Sequence, residues 1–127
     1  MCFYTGRDIL AIDDGEDNLI LLKIIFETLG CNVRTACSGK NGLDKIKQAR
    51  PDLIILDLMM PNMSGIEFMN CLEDNQWSDI PVLLLTANVN VDREAARGAN
   101  SICYKPIDIA NLTEEAKTLL AHKDLSK

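Results

Sequence analysis

Leu53-Ile54-Ile55-Leu56-Asp57 sets the reading of this chain: four branched apolar residues in a row, ending in a carboxylate. Ile9-Leu10-Ala11-Ile12-Asp13-Asp14 has the same form near the start. A short apolar run that stops at polar residues reads as a strand buried on both faces, the kind found in parallel sheets. In open α/β sheets the ligand crevice lies outside the carboxyl ends of the strands. Two strand ends that deliver carboxylates to that edge, and nothing basic, make a site for a hard cation.

Apolar runs of this kind recur, giving strands at 8–13, 32–36, 53–57, 81–85 and 100–104, and segments with helical spacing alternate with them. Leu19, Leu22, Ile25, Phe26 and Leu29 mark the first helix, closed by Gly30 as a C-cap. Leu43, Ile46 and Ala49 mark a second, ended before Pro51. Ile66, Met69 and Leu72 mark a third, opened by Ser64; a fourth, around 89–97, is weakly apolar and ends at Gly98. Ile109, Leu112, Ala116, Leu119 and Leu120 mark the last. Five strands alternating with five helices predict a doubly wound parallel sheet, with right-handed crossovers placing helices on both faces. No repeat, low-complexity tract or linker divides residues 1–127, which read as one domain.

Composition narrows the function. The chain of 127 residues carries a formal charge of −6, with 13 basic and 19 acidic residues and no basic block. Direct nucleic-acid binding, which needs clustered positive charge, is not expected. No apolar stretch is long enough for a membrane span, and Met1-Cys2-Phe3-Tyr4 opens no signal peptide. The five cysteines (2, 31, 37, 71, 103) are odd in number and form no C-x-x-C, so neither a disulfide framework nor a zinc site is expected. A reducing cytoplasm is the expected location. His122 reads as a surface-helix residue.

The remaining strand ends add to the same edge. Pro81-Val82-Leu83-Leu84-Leu85 ends in Thr86-Ala87, and the run at 100–104 ends in Lys105-Pro106. The edge then holds three carboxylates, one hydroxyl and one ammonium. Carboxylates packed together raise each other's pKa unless a cation neutralises them. Mg²⁺ suits such a set, held by one or two carboxylates, waters and a phosphoryl oxygen. Lys105 could neutralise the remaining phosphoryl charge, and Thr86 could hydrogen-bond a phosphoryl oxygen.

Taken in order, Asp13-Asp14, Asp57 within D-L-M-M-P-N-M-S-G, Thr86-Ala87 and Lys105-Pro106 resemble the receiver domain of two-component response regulators, over essentially the whole chain. The resemblance implies a flavodoxin-like sheet of strand order 2-1-3-4-5 with five helices. It implies that Asp57 is the phosphoacceptor, attacking a phospho-histidine of a histidine kinase or a histidine phosphotransfer protein. It implies Mg²⁺ on Asp14 directly, on Asp13 directly or through a water, on the Asp57 carboxylate and on the backbone carbonyl of Met59. It implies that Lys105 pairs with Asp57 at rest and with the phosphoryl oxygens afterwards, and that Thr86 carries the signal towards a downstream effector protein. The Lys105-Pro106 bond resembles the family's cis peptide, which is only mildly unfavourable for X-Pro. The chain would catalyse only its own phosphorylation and dephosphorylation.

The chain departs from the family in three places, the last of them at two residues. Ile102 stands where relatives carry Tyr or Phe, three residues before the lysine; Tyr104 shares that strand face and is expected to contribute packing. Gly15 replaces a polar residue and is expected to loosen its loop. Met59 and Asn88 would flank the phosphoryl group and influence the approach of water. The pattern Asp13, Asp14, Asn18 (D-D-x-x-x-N) resembles receivers attached to hybrid kinases.

Blander and rival readings stand beside this one. A solvated Asp13-Asp14 turn would not explain Asp57, Thr86 and Lys105. Met59, Met60, Met63 and Met69 read as core and loop filler, Trp77 as a partly exposed aromatic, and Ser38 as a helix cap. A flavodoxin-like FMN carrier would need a phosphate loop where Asp13-Asp14-Gly15-Glu16-Asp17 repels phosphate. An aspartyl-phosphate phosphohydrolase would need a general acid at Met59. A phosphorylation-independent scaffold receiver would not need the intact set.

Overall fold

The apolar runs form β1 (Asp8–Ile12), β2 (Asn32–Ala36), β3 (Leu53–Asp57), β4 (Val82–Thr86) and β5 (Ser101–Tyr104). They lie in a computed structural model that describes residues 5–125 apart from 93 and 95, with side chains described to residue 121. All four pairings are parallel, and the order is β2-β1-β3-β4-β5. The expected doubly wound arrangement is therefore present. Because the chain leaves β1 to β2 on one side and β3 to β5 on the other, the order reverses between β1 and β3. Asp13 and Asp57 sit at the two strand ends that flank that reversal.

Period-two alternation sends successive residues to opposite faces. Ile9, Ala11, Leu53, Ile55, Leu83 and Leu85 pack on one side with Leu22 and Phe26 of α1 (Glu16–Thr28) and with Leu112 and Ala116 of α4 (Ile109–Leu125). Leu10, Ile12, Ile54, Leu56 and Leu84 pack on the other with Ile46 of α2 (Gly39–Gln48) and Phe68 of α3 (Gly65–Asp74). Strands buried on both faces explain the near-continuous apolar runs.

Local signals set the helix ends. The Ser38 side chain accepts the Asn41 N–H, and Ser64 with Glu67 forms a reciprocal capping box. At the end of α1, Gly30 adopts φ +96° and the Cys31 N–H reaches back to the Phe26 carbonyl at 3.0 Å, a Schellman closure. α3 closes the same way, the Trp77 N–H bonding the Leu72 carbonyl at 2.8 Å, but Gln76 holds the left-handed position at φ +63°.

The segment around 89–97, expected as a helix, is a series of turns among its described residues. The Ala96 N–H bonds the Asp92 carbonyl at 3.0 Å, a single helical turn that does not continue. Asn88 and Asp92 accept the N–H groups of Asn90 and Glu94 on their own side chains, offering the backbone an alternative to the helix. Only Ala96 of its described residues is buried, so little apolar surface rewards helix formation.

Trp77 and Met63 are half-buried against the second core face, and Met60 and Met69 belong to that core. Cys31 and Cys103 are buried and unpaired; burial first, then the charge of Asp52 for Cys31 and of Glu115 for Cys103, pushes each thiol up to about 11. The side chain of His122 and all of residues 1–4 lie outside the described residues. Among the described residues no helix is long and apolar enough to cross a membrane.

Candidate functional site

Asp13 follows directly on β1, its N–H held by the Ala36 carbonyl of β2 at 3.1 Å. Its side chain folds back into the sheet edge, 1 % exposed, and Oδ1 accepts the Gly15 N–H at 2.8 Å. This Asx-type turn reverses the chain into α1 and leaves the neighbouring Asp14 side chain exposed. Gly15 sits at φ −90° and ψ 112° as the N-cap of α1, an ordinary extended conformation. The expected looseness is not its feature. A Cβ there would stand 3.0 Å from Asn18 Nδ2 and 3.3 Å from Asp13 Oδ1, so the glycine provides room.

Asp57 ends β3, buried, and its Oδ1 accepts the Met59 N–H at 3.1 Å. That bond holds the Met59 peptide beside the cluster while the Met59 side chain, 61 % exposed, faces solvent. The loop returns at Gly65, whose N–H bonds the Leu58 carbonyl at 2.8 Å. A Cβ on Gly65 would come within 2.8 Å of the Leu58 Cα, so the close approach of α3 to the strand end requires glycine.

Thr86 ends β4 with its residue 0 % exposed, and its Oγ1 accepts the Asn88 N–H at 3.1 Å. Its carbonyl accepts the Lys105 N–H at 2.8 Å, which fixes where the lysine leaves β5. The Lys105-Pro106 peptide is cis, as expected. From there the ammonium reaches Asp13 Oδ2 at 3.1 Å and Asp57 Oδ2 at 3.4 Å. Lys105 thus contacts Asp57, as expected, but lies nearer to Asp13.

Asp13, Asp14 and Asp57 each offer an oxygen within 4.8 Å of the others. Burial pushes the Asp57 carboxyl up from its usual value and the charge of Asp13 adds to this, against the Met59 N–H and Lys105. For Lys105, burial alone would lower the ammonium's pKa; the hydrogen bond and charge of Asp13, then those of Asp57, outweigh it and hold the value above normal. Three carboxylates cluster here and one ammonium contacts two of them, so the set retains excess negative charge. That donor set, all oxygen and partly open through exposed Asp14, fits a hard divalent cation.

A cleft of about 540 Å³ adjoins Asp14, floored by Leu19 and Ile20 and rimmed by Lys23, Cys37 and Asn41. Beside it α1 exposes Ile20, Leu21 and Ile24 to solvent. Sequence reasoning brought Asp13, Asp14, Asp57, Thr86 and Lys105 to one edge, and the structure places them there. It missed that Asn18 returns from α1 to the same loop; the three-residue spacing from the Gly15 N-cap was the signal that could have shown it.

The sequence profile of the family described as "Response regulator receiver domain" matches residues 9–117. The transcriptional regulatory protein PrrA of Mycobacterium tuberculosis is 34 % identical over 124 residues, covering 94 % of this chain and 52 % of PrrA. The polar-differentiation response regulator DivK of Brucella anthropi is 30 % identical over 118 residues, covering 90 % of this chain and 96 % of DivK. The chain thus spans about half the length of PrrA and nearly all of DivK. The structure of the Vibrio cholerae chemotaxis protein CheY4 superposes with a TM-score of 0.83 at 28 % identity, over 91 % of this chain and 99 % of CheY4. By profile, by sequence and by fold, this protein belongs to the receiver domains of two-component response regulators.

Proposed function

We propose that Asp57 accepts a phosphoryl group from a phospho-histidine of a kinase or phosphotransfer protein, in a Mg²⁺-dependent reaction that the chain performs on itself. The observation that carries this reading is the shared charge: two buried carboxylates, Asp13 and Asp57, contact one ammonium while Asp14 lies exposed within reach of both. Asp14 and Asp57 would ligate the ion, with the Met59 carbonyl. Both oxygens of Asp13 already accept hydrogen bonds, from Gly15 and Lys105, which favours a water-linked role for Asp13. Bound there, Mg²⁺ would supply positive charge to the phosphoryl oxygens and keep Asp57 ionised.

The chain's own residues account for the rest. An Asp57 oxygen attacks phosphorus; the new O–P bond forms as the histidine N–P bond breaks, and the electron pair leaves on the imidazole nitrogen. Such a transition state is loose, so positioning and charge neutralisation supply the rate. Lys105 turns from the carboxylates to the phosphoryl oxygens. Thr86, whose oxygen already accepts from Asn88, keeps its O–H to donate to a phosphoryl oxygen. The exposed apolar residues of α1 and the adjoining cleft give the phosphodonor partner a surface, and Thr86 with the loop after it communicates with a downstream effector. The setting is cytoplasmic, without direct nucleic-acid contact by this domain.

A phosphohydrolase is disfavoured because Met59, two residues after the nucleophile, presents a thioether with no proton to give. Acetyl phosphate with Mg²⁺ tests the proposal. One phosphoryl group labile to hydroxylamine is expected, and none in Asp57→Asn; equal labelling of that variant would place the acceptor elsewhere.

A further inference from the structure

The loop between Asp57 and α3 is short and closed on itself. The Gly65 N–H bonds the Leu58 carbonyl and the Met63 N–H bonds the Pro61 carbonyl, both at 2.8 Å. Pro61 has its φ fixed by its ring, Asn62 sits in the left-handed region at φ +70°, and Ser64 is tied into the capping box of α3. Few soft torsions remain, so a push on this loop reaches Met59, whose N–H the Asp57 carboxylate accepts at 3.1 Å.

Met63 is where the loop meets α2. Its half-buried side chain lies over Gly39, the first residue of that helix. A Cβ on Gly39 would stand 2.5 Å from Met63 Sδ, 3.0 Å from its Cγ and 3.2 Å from its Cβ. Turning the thioether aside would not relieve that contact, because it runs down to the Met63 Cβ and so to the backbone. Nothing in α2 itself calls for glycine there. The described glycines with positive φ are Gly6 and Gly30, so the Gly39 backbone suits alanine, and alanine is the better helix former. Room for Met63 is the reason that remains.

We propose that Gly39 and Met63 are positioning residues for phosphoryl transfer: the empty side-chain place at the start of α2 seats Met63, and Met63 sets the loop that holds the Met59 peptide against Asp57. This rests on the reading of Asp57 as the phosphoacceptor. Both residues act through the loop rather than on the phosphoryl group. With the loop unseated, Asp57 stays at the end of β3 but its carboxylate loses the orientation that the Met59 N–H gives it. A misplacement of about 1 Å at a reacting group can cost about 100-fold in rate. A contact that must open by a fraction of that belongs nearer tenfold.

The rate of labelling by acetyl phosphate with Mg²⁺ is the readout, taken where denaturant unfolding shows each variant fully folded, so that lost stability alone leaves it unchanged. Gly39→Ala should slow labelling about tenfold. Met63→Ala removes Sδ and Cγ, the two nearest atoms, and keeps the loop's hydrogen bonds, so it should slow labelling less. The double variant should label at the rate of Met63→Ala, faster than Gly39→Ala, since two changes acting through one contact do not add. Unchanged labelling in Gly39→Ala, or a double variant slower than Met63→Ala, would overturn the assignment and leave Asp57 as the acceptor. Should Gly39→Ala fail to fold, the comparison of the double variant with Met63→Ala decides alone. Absence of labelling in the unmodified chain would instead remove the phosphoacceptor reading, and this assignment with it.

Discussion

Lys105 Nζ lies 3.1 Å from Asp13 Oδ2 and 3.4 Å from Asp57 Oδ2, so the ammonium at the sheet edge is shared between the two carboxylates flanking the strand-order reversal. Its side chain is 19 % exposed and theirs are 2 % and 6 % exposed, so the three charges meet largely out of water. In that setting removing one partner matters more than the pair itself contributes, because the remaining charges stay buried without compensation.

Lys105→Met should therefore destabilise the protein in metal-free buffer by about 2–3 kcal/mol, below the 3–5 kcal/mol of a fully enclosed pair. Mg²⁺ should restore much of that loss, since anything that binds only the folded state stabilises it. Denaturant unfolding with EDTA and with Mg²⁺ measures both effects. A deficit that Mg²⁺ leaves untouched would mean that Lys105 acts by packing alone.

The raised pKa of Asp57 makes a second prediction, with a defined sign. Its folded value lies above the ordinary 3.8 because of burial and then Asp13. Folding thus favours the protonated form, and stability is lost as pH rises through the folded pKa. Asp57→Asn removes that cost. In EDTA the variant should melt above the unmodified protein at pH 7, with the advantage fading as pH falls towards the unfolded value. A variant that is less stable at pH 7 would show that the Lys105 contact outweighs the desolvation.

The site's skeleton was legible because strand ends are marked by chemistry: Ile12 to Asp13, Leu56 to Asp57 and Leu85 to Thr86 each change from apolar to polar in one step. What was illegible depends on side chains meeting across the sheet. Nothing in the sequence says that Lys105 leans towards Asp13, since that follows from the Thr86 carbonyl holding the Lys105 N–H. Gly15 read as slack because a glycine's missing Cβ matters only against a neighbour, here Asn18. The segment around 89–97 has apolar residues enough to suggest a helix, but Asn88 and Asp92 bind the backbone locally.

Gln76 holds a left-handed conformation at φ +63° with its side chain exposed, closing α3 where glycine is usual. Gln76→Gly should stabilise the fold by about 0.5–1 kcal/mol, from relief of a left-handed cost partly offset by the flexibility of unfolded glycine. That corresponds to a rise in Tm of roughly 2–4 °C. Gly65→Ala should do the reverse, because its Cβ meets the Leu58 backbone at 2.8 Å and the loop must shift. About 1–3 kcal/mol should be lost, together with slower labelling by acetyl phosphate as the Met59 peptide moves. Calorimetry of both variants reads the signs; an unchanged Gly65→Ala would mean that the loop yields freely.

On the proposed function, Thr86 and Ile102 would set how the site communicates with the surface. Ile102 stands on β5 opposite Leu84, while Tyr104 stands opposite Thr86. Ile102 is half-buried against the second core face and borders a hollow of about 240 Å³ lined by Ala96, Arg97, Ala99 and Asn100. As a β-branched residue it is stiff at χ1 and cannot swing between buried and exposed positions as an aromatic ring could. Coupling from Asp57 should run through Thr86 and the loop 87–90, where the Asn88 N–H on Thr86 Oγ1 and the Asn90 N–H on the Asn88 side chain form a continuous chain of hydrogen bonds. On the proposed function, phosphorylation should draw the Thr86 hydroxyl towards the phosphoryl group and pull on that chain. Amide resonances of residues 86–98 should shift strongly, while the Ile102 methyl resonances report an unchanged rotamer. Thr86→Ala should abolish those shifts without preventing phosphorylation. Shifts that persist in Thr86→Ala, or a change of Ile102 rotamer on phosphorylation, would show that the signal leaves the site along β5 instead.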